Sequence, residues 1–189
     1  MSTESKWASL RIVLLSQLSL YAQPGTIATW QDLHERASRQ LENGRWQLAL
    51  ATASQAEVNV KKEVGTAGPE YAEVLNLLTL IQLPMGRLDG ADSSTSRLWE
   101  LSKTLMPMDK LRLARAGKAR SELLLLLESP AEAALVAREA IDAVGGIGES
   151  ARLMPGLIQA LVLAYLKMEA YKAAAATLEE SLEIVVADG

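Results

Sequence analysis

Gly44-Arg45-Trp46, followed by Ala49, Ala53 and Ala56, is the stretch that decides the fold, because it returns three times at a nearly fixed distance. The later copies are Gly86-Arg87-Leu88 with Ala91, Thr95 and Leu98, then Glu128-Ser129-Pro130 with Ala133, Ala137 and Ala140, then Glu169-Ala170-Tyr171 with Ala174, Leu178 and Ser181. The leading small residues, Ala49, Ala91, Ala133 and Ala174, stand 42, 42 and 41 residues apart. Steps of three and four within each copy keep these positions on one helix face. A return period between about 20 and 50 residues marks stacked helix pairs, each hairpin covering the apolar stripe of its neighbour.

Packing explains why the repeated residues are small. Two helices approach to about 8–10 Å, and the closest contact admits Ala, Gly, Ser or Thr but no long side chain. The first helix of each hairpin carries its own series, Ala37, Thr79 and Ser121, 42 residues apart, with Val162 as the fourth member. Larger apolar residues surround these positions: Leu33, Leu75 and Ile158, then Leu78, Leu161 and Tyr165.

Turn chemistry divides the chain. Asn43-Gly44 ends one helix, either residue being able to take the left-handed turn conformation. Pro69, after Gly65-Thr66-Ala67-Gly68, and Met106-Pro107 sit at helix starts, where a missing N–H is harmless. Ser129-Pro130-Ala131-Glu132 has the form of a capping box, and Gly145-Gly146-Ile147-Gly148 separates the last two repeats. These signals predict helices over 4–22, 27–43, 45–64, 69–84, 88–105, 108–127, 130–144, 150–168 and 170–186. Pro155 falls near the start of the eighth, which would delay or kink it.

Composition closes off several functions. The 189 residues suffice for one domain, 1–189, with a core of its own. The chain has no cysteine and one histidine, His34, so disulfides, thiolate metal sites, a cysteine nucleophile and a His pair are excluded. A formal charge of -4 gives no overall attraction to nucleic acid or anionic membranes. No stretch approaches the about 20 apolar residues of a membrane span. Residues 1–23 have two readings: an exported chain's signal peptide, or an amphipathic helix with Trp7, Leu10, Leu14, Leu18 and Tyr21 or Ala22 on one face. Glu4 beside Lys6 and the interruptions at Ser16, Gln17 and Ser19 favour the helix, and with it a cytoplasmic chain.

Gly44, Trp46, Ala49, Ala53 and Ala56 resemble the second half of a tetratricopeptide (TPR) repeat, and Ile158, Leu161, Tyr165, Tyr171 and Ala174 resemble both halves of one. The 42-residue period is similar to the longer-helix branch found in kinesin light chains and in the sensor domains of maltose-type bacterial activators. The resemblance covers about residues 27–187. It departs at Gly117 and Arg120, where large apolar residues are expected, and at Glu128 and Glu169, which replace the turn glycine.

The resemblance implies an all-α, right-handed α-solenoid of about four stacked helix-turn-helix repeats in residues 26–189, with residues 1–25 as an N-terminal capping helix. It implies a non-enzymatic scaffold holding a peptide or partner protein in a concave groove lined by the first helix of each pair. Its groove positions fall on Gln31, His34 and Ser38, on Glu73, Asn76, Leu80 and Leu83, on Arg115, Lys118, Glu122 and Leu125, and on Gln159, Leu163 and Leu166. A leucine strip with Asn76, Arg115 and Lys118 nearby suits an amphipathic or partly acidic segment. Leucines at helical spacing equally suit a core. The alternative function is a structural or regulatory solenoid that self-associates or senses a small ligand.

Lys110, Arg112, Arg115, Lys118 and Arg120 form the one marked charge run. At about 100° per residue only Arg112, Arg115 and Lys118 approach a common face, giving either a solvated surface or a clamp for carboxylate or phosphate. Catalytic patterns fail on chemistry. His34 has no nucleophile elbow to serve, and Glu179 and Glu180 point about 100° apart. Gly145–Gly148 lacks the Lys and Ser/Thr of a phosphate loop and leads into Glu149. No catalytic residue, cofactor or metal is expected.

Overall fold

The computed structural model describes residues 28–105, 109–144 and 152–187, with backbone alone at 144 and 182–187. The predicted N-terminal cap or signal, Met106-Pro107 and Gly145–Gly148 therefore lie outside the described residues. Among the described residues eight helices follow one another: α1 (Trp30–Glu42), α2 (Trp46–Glu63), α3 (Pro69–Gln82), α4 (Leu88–Thr104), α5 (Lys110–Leu126), α6 (Pro130–Val144), α7 (Met154–Lys167) and α8 (Tyr171–Ala187). They pair as four antiparallel hairpins, each packed on the next, and no strand occurs among the described residues. Pro155 sits in the first turn of α7, so that helix opens at Met154 and not at 150.

The four hairpin turns are copies of one backbone structure. Gly44, Gly86, Glu128 and Glu169 have φ of 69°, 66°, 55° and 57°. In each, the left-handed residue donates to a carbonyl three residues back (Leu41, Leu83, Leu125, Leu166). The next residue donates five back (Gln40, Gln82, Leu124, Tyr165). This turn satisfies the orphan carbonyls at the helix end, and glycine enters it without the cost a Cβ brings. Glutamate at 128 and 169 carries that cost, about 1–2 kcal/mol before the greater freedom of unfolded glycine is subtracted. Glu169→Gly is therefore expected to stabilise the chain by about 0.5–1 kcal/mol, read as a higher midpoint in thermal unfolding. Gly86→Ala should move the midpoint the other way. Glu128 makes the less clean test, because its carboxylate also accepts from Lys167 Nζ at 2.9 Å.

Small residues occupy the closest contacts, as their spacing requires. Ala49, Ala91 and Ala133 are 0% exposed and Ala174 is 3% exposed, and Ala37, Thr79 and Ser121 are likewise buried. Around them Leu33, Leu75, Leu78 and Leu161 fill the interior, while Ile158 and Tyr165 are partly buried beside it. The buried threonine and serine hydroxyls fold back onto their own helices: Thr79 donates to the Leu75 carbonyl at 2.9 Å and Ser121 to that of Lys118 at 3.0 Å. A small polar side chain thus replaces alanine without leaving an unpaired group.

Both departures in the third repeat have structural causes. A Cβ on Gly117 would lie 2.5 Å from the Ala140 Cβ and 3.1 Å from the Trp99 ring, so a missing side chain on α5 makes room for the indole of α4. Arg120 reaches across to α4, donating to the Asp92 carboxylate and, at 3.2 Å, to the Thr95 hydroxyl. An ion pair there replaces an apolar contact. Two expectations need correction. Leu178, taken as a packing anchor, is 48% exposed, and its neighbour Thr177 is the buried residue, because no hairpin among the described residues packs on that face of α8. The Ser129 hydroxyl donates to the Leu127 carbonyl at 3.4 Å, and a complete capping box forms instead at Thr29 and Asp32.

Candidate binding face

The first helices of the four hairpins, α1, α3, α5 and α7, carry the positions to which a partner was assigned, and they are unevenly spaced. α5 and α7 pack directly together and α1 touches α3, whereas α3 and α5 barely meet. A pocket of ≈170 Å³ fills that gap, lined by Ala72, Glu73 and Asn76 of α3, Leu98 of α4, and Asp109, Leu111, Arg112 and Arg115 at the start of α5. Leu98 is 1% exposed, so the lining includes core surface.

Side-chain hydrogen bonds tie down the start of α5. Asp109 caps the helix, its carboxylate accepting from the Arg112 N–H and the Arg112 Nε, each at 2.8 Å. Burial pushes the Asp109 carboxyl up, but these bonds, with the charges of Arg112 and Arg115, outweigh it and hold the group below the usual carboxylate range. Arg112 also donates to the Pro69 carbonyl at 2.8 Å and stands 3.8 Å from Glu73. It therefore joins the first turns of α3 and α5 across the gap.

The basic run divides into separate tasks. Arg112 is committed to Asp109, Pro69 and Glu73, Arg120 to α4, and Lys118 to Glu122 at 2.6 Å. The Lys118 methylenes also lie over Gly156 at the start of α7. Arg115 is exposed, lines the pocket and makes no ion pair among the described residues. Asn76 stands half-buried in the same lining.

The remaining assigned positions spread along the row. Gln31, Glu73, Glu122 and Gln159 are exposed, and His34, Ser38, Leu83, Lys118 and Leu125 are half-buried. Leu80 is 53% exposed, and Leu163 and Leu166 are 44% exposed, which places these three outside the core. His34 sits edge-on to Trp30 with ring centres 6.3 Å apart. The structure gathers Asn76 and Arg115 at one pocket and leaves His34 and the α7 residues apart from it. Asp109, Leu98 and Leu111 line the pocket without having been expected there, and Arg112 joins Arg115 there as the clamp reading of the basic run had it, whereas Lys118 does not. Asp109 three residues before Arg112 is a helix-cap spacing that could have pointed to it.

No protein-family model and no curated protein matches the sequence. Solved structures do. BtubC (BKLC) from P. vanneervenii superposes with a TM-score of 0.74 at 15% identity, over 84% of this chain and 63% of that one. This chain thus spans less than two thirds of BtubC's length. Two crystal structures of a protein described as a kinesin light chain from Podosopora anserina, with nearly identical TPR-like repeats, give TM-scores of 0.72 and 0.73 at 14% identity. They cover 96% and 98% of this chain and 88% and 90% of theirs. At such identities the likeness is one of fold, and it agrees with the four recurring turns and the buried small residues described above. In fold, the chain is a TPR-like repeat protein.

Proposed function

We propose that the chain is a non-enzymatic scaffold that holds an extended or helical segment of a partner protein along α1, α3, α5 and α7. An acidic side chain of that segment enters the gap between α3 and α5. The observation that carries this is that Arg115, exposed and without an ion pair among the described residues, lines the same pocket as Asn76 and Leu98. A guanidinium and an amide together offer several N–H donors, the arrangement a carboxylate accepts from best. Exposed Leu80, Leu163 and Leu166 supply apolar contacts on either side, so the fitting ligand is amphipathic with acidic residues among apolar ones.

The test is selection from a displayed peptide library followed by titration of a recovered peptide. Peptides rich in Asp or Glu beside apolar residues should emerge. Arg115→Glu should weaken the best of them at least about tenfold, since a hydrogen bond to a charged group contributes about 1.5–3 kcal/mol. Lys118→Glu, at a residue already paired with Glu122, should weaken it less. Unchanged affinity in the double variant would dispose of the acidic-segment reading.

A further inference from the structure

The first helix of each hairpin leaves one stripe of side chains open, and the four stripes repeat in register. On α3 the stripe is Glu73, Asn76, Leu80 and Leu83, none of them buried, although Val74, Leu75, Leu78 and Thr79 beside them are. Steps of three, four and three keep such a stripe on one face of its helix. The same four places are open on α1, α5 and α7. The stack therefore presents rows that cross all four helices.

Two of these rows keep one chemistry throughout. One holds His34, Asn76, Lys118 and Gln159, a side chain with an N–H donor in every repeat and a carboxylate in none. Lys118 gives a hydrogen to Glu122 at 2.6 Å and still has others to give. The other row holds Leu41, Leu83, Leu125 and Leu166, half-buried in the first three and 44% exposed in the last. Exposed Leu80 and Leu163 stand one turn from it, on the side of the donor row. From Asn76 to Leu83 is seven residues, so the two rows run about 10 Å apart, the width of one more α-helix.

The spacing along the stack selects the conformation of what lies there. Where first helices pack directly, as α5 does on α7, one repeat advances about 8–10 Å. A helix lying along the stack covers that step in about seven residues and returns to the same face. An extended chain covers it in about three, and its alternating side chains would face the leucine row at one repeat and the donor row at the next. A polyproline helix does return after three residues, but grooves that recognise it are lined with aromatic rings, and the four stripes contain no Phe, Tyr or Trp.

Resting on the scaffold role proposed above for these helices, we infer that the partner segment binds as an amphipathic α-helix laid along the stack. Its apolar face covers the leucine row, and its polar face meets the donor row. Its acidic residue is the one that reaches the pocket of Asn76 and Arg115 between α3 and α5.

The test titrates the full chain with two synthetic peptides of about 21 residues, long enough as a helix to cross the four first helices. Both are built from the same Leu, Glu, Ala and Gln. One repeats leucine at intervals of three and four with Glu on the opposite face, and the other alternates leucine with the polar residues. The helical order should bind at least about tenfold tighter, with helical dichroism increasing on binding. Leu80→Glu and Leu166→Glu should each weaken it about tenfold. Leu126→Glu, at a residue 60% exposed but off the stripe, should not. All three positions are open, so the chain's own helical spectrum should persist in each variant. The inference is overturned if the alternating order binds as tightly, if the helical order binds without dependence on Leu80 and Leu166, or if neither binds. Its failure is separable from that of the acidic-segment reading. An alternating peptide that binds and depends on Arg115 would sink the helix alone, whereas a leucine-dependent helical peptide indifferent to Arg115→Glu would support the helix and sink only the acidic contact.

Discussion

Ala133→Trp is expected to destabilise the chain by about 3 kcal/mol, at the upper end of what overpacking a core contact costs. Ala133 is 0% exposed and sits in one cluster with Leu124, Ala137, Ala160, Leu161 and Ala164, where α5, α6 and α7 meet. An indole there cannot be accommodated by rotating neighbours, since most of them are alanines with no rotamers to change. It must separate helices. The midpoint of thermal unfolding should fall by about 6–12 °C for a chain of this length. Two residues along the same helix, Leu135 is 72% exposed, and Leu135→Trp should leave the midpoint nearly unmoved. Equal effects at 133 and 135 would mean that α6 is rotated from the orientation described.

Gly117 gives the second large effect, with a sign opposite to the usual one. Replacing a mid-helix glycine with alanine ordinarily stabilises by about 0.5–1 kcal/mol, through propensity and the unfolded chain's entropy. At 117 the added Cβ meets the Ala140 Cβ at 2.5 Å and the Trp99 ring at 3.1 Å. The first contact has no flexible end to yield, so α5 and α6 must move apart. Gly117→Ala is expected to lower stability by about 1 kcal/mol and Gly117→Leu by about 3 kcal/mol. In the Leu variant the change in Trp99 packing should also appear in near-ultraviolet dichroism. Urea titration with an unchanged slope checks both values. A stabilised Gly117→Ala protein would show that α6 does not bring the Ala140 Cβ as close to residue 117 as described.

How much the sequence disclosed depended on whether a feature was local or lay between repeats. Helix ends were legible because glycine, proline and small-residue steps act within a few positions: α2, α3, α4 and α6 begin and end within two residues of their predicted limits. The register of small residues was legible because packing imposes it at every repeat. Gly117 and Arg120 looked like defects because their partners, Trp99 and Asp92, belong to the hairpin before, and one chain of letters does not show which residue faces which. The basic run was equally opaque. Arg112, Arg115, Lys118 and Arg120 are alike as side chains, and only the placement of Asp109, Glu122 and Asp92 decides which charge is already engaged. Leu178 misled for the same reason, a large residue at a packing position reading as core although no helix among the described residues covers that face of α8.

Everything proposed for the binding face rests on successive hairpins stacking in one direction with a common register. Nitroxide labels attached through single cysteines measure this directly, the natural chain being cysteine-free. Gln47, Asp89, Ala131 and Lys172 hold the same place in the four repeats and are all exposed. With helix layers about 8–10 Å apart, the 47–172 distance should exceed the 47–131 distance by about one layer, and the 47–131 and 89–172 distances should be similar. A 47–172 distance shorter than 47–131 would mean that the chain folds back into a bundle, and the shared face of α1, α3, α5 and α7 would not exist.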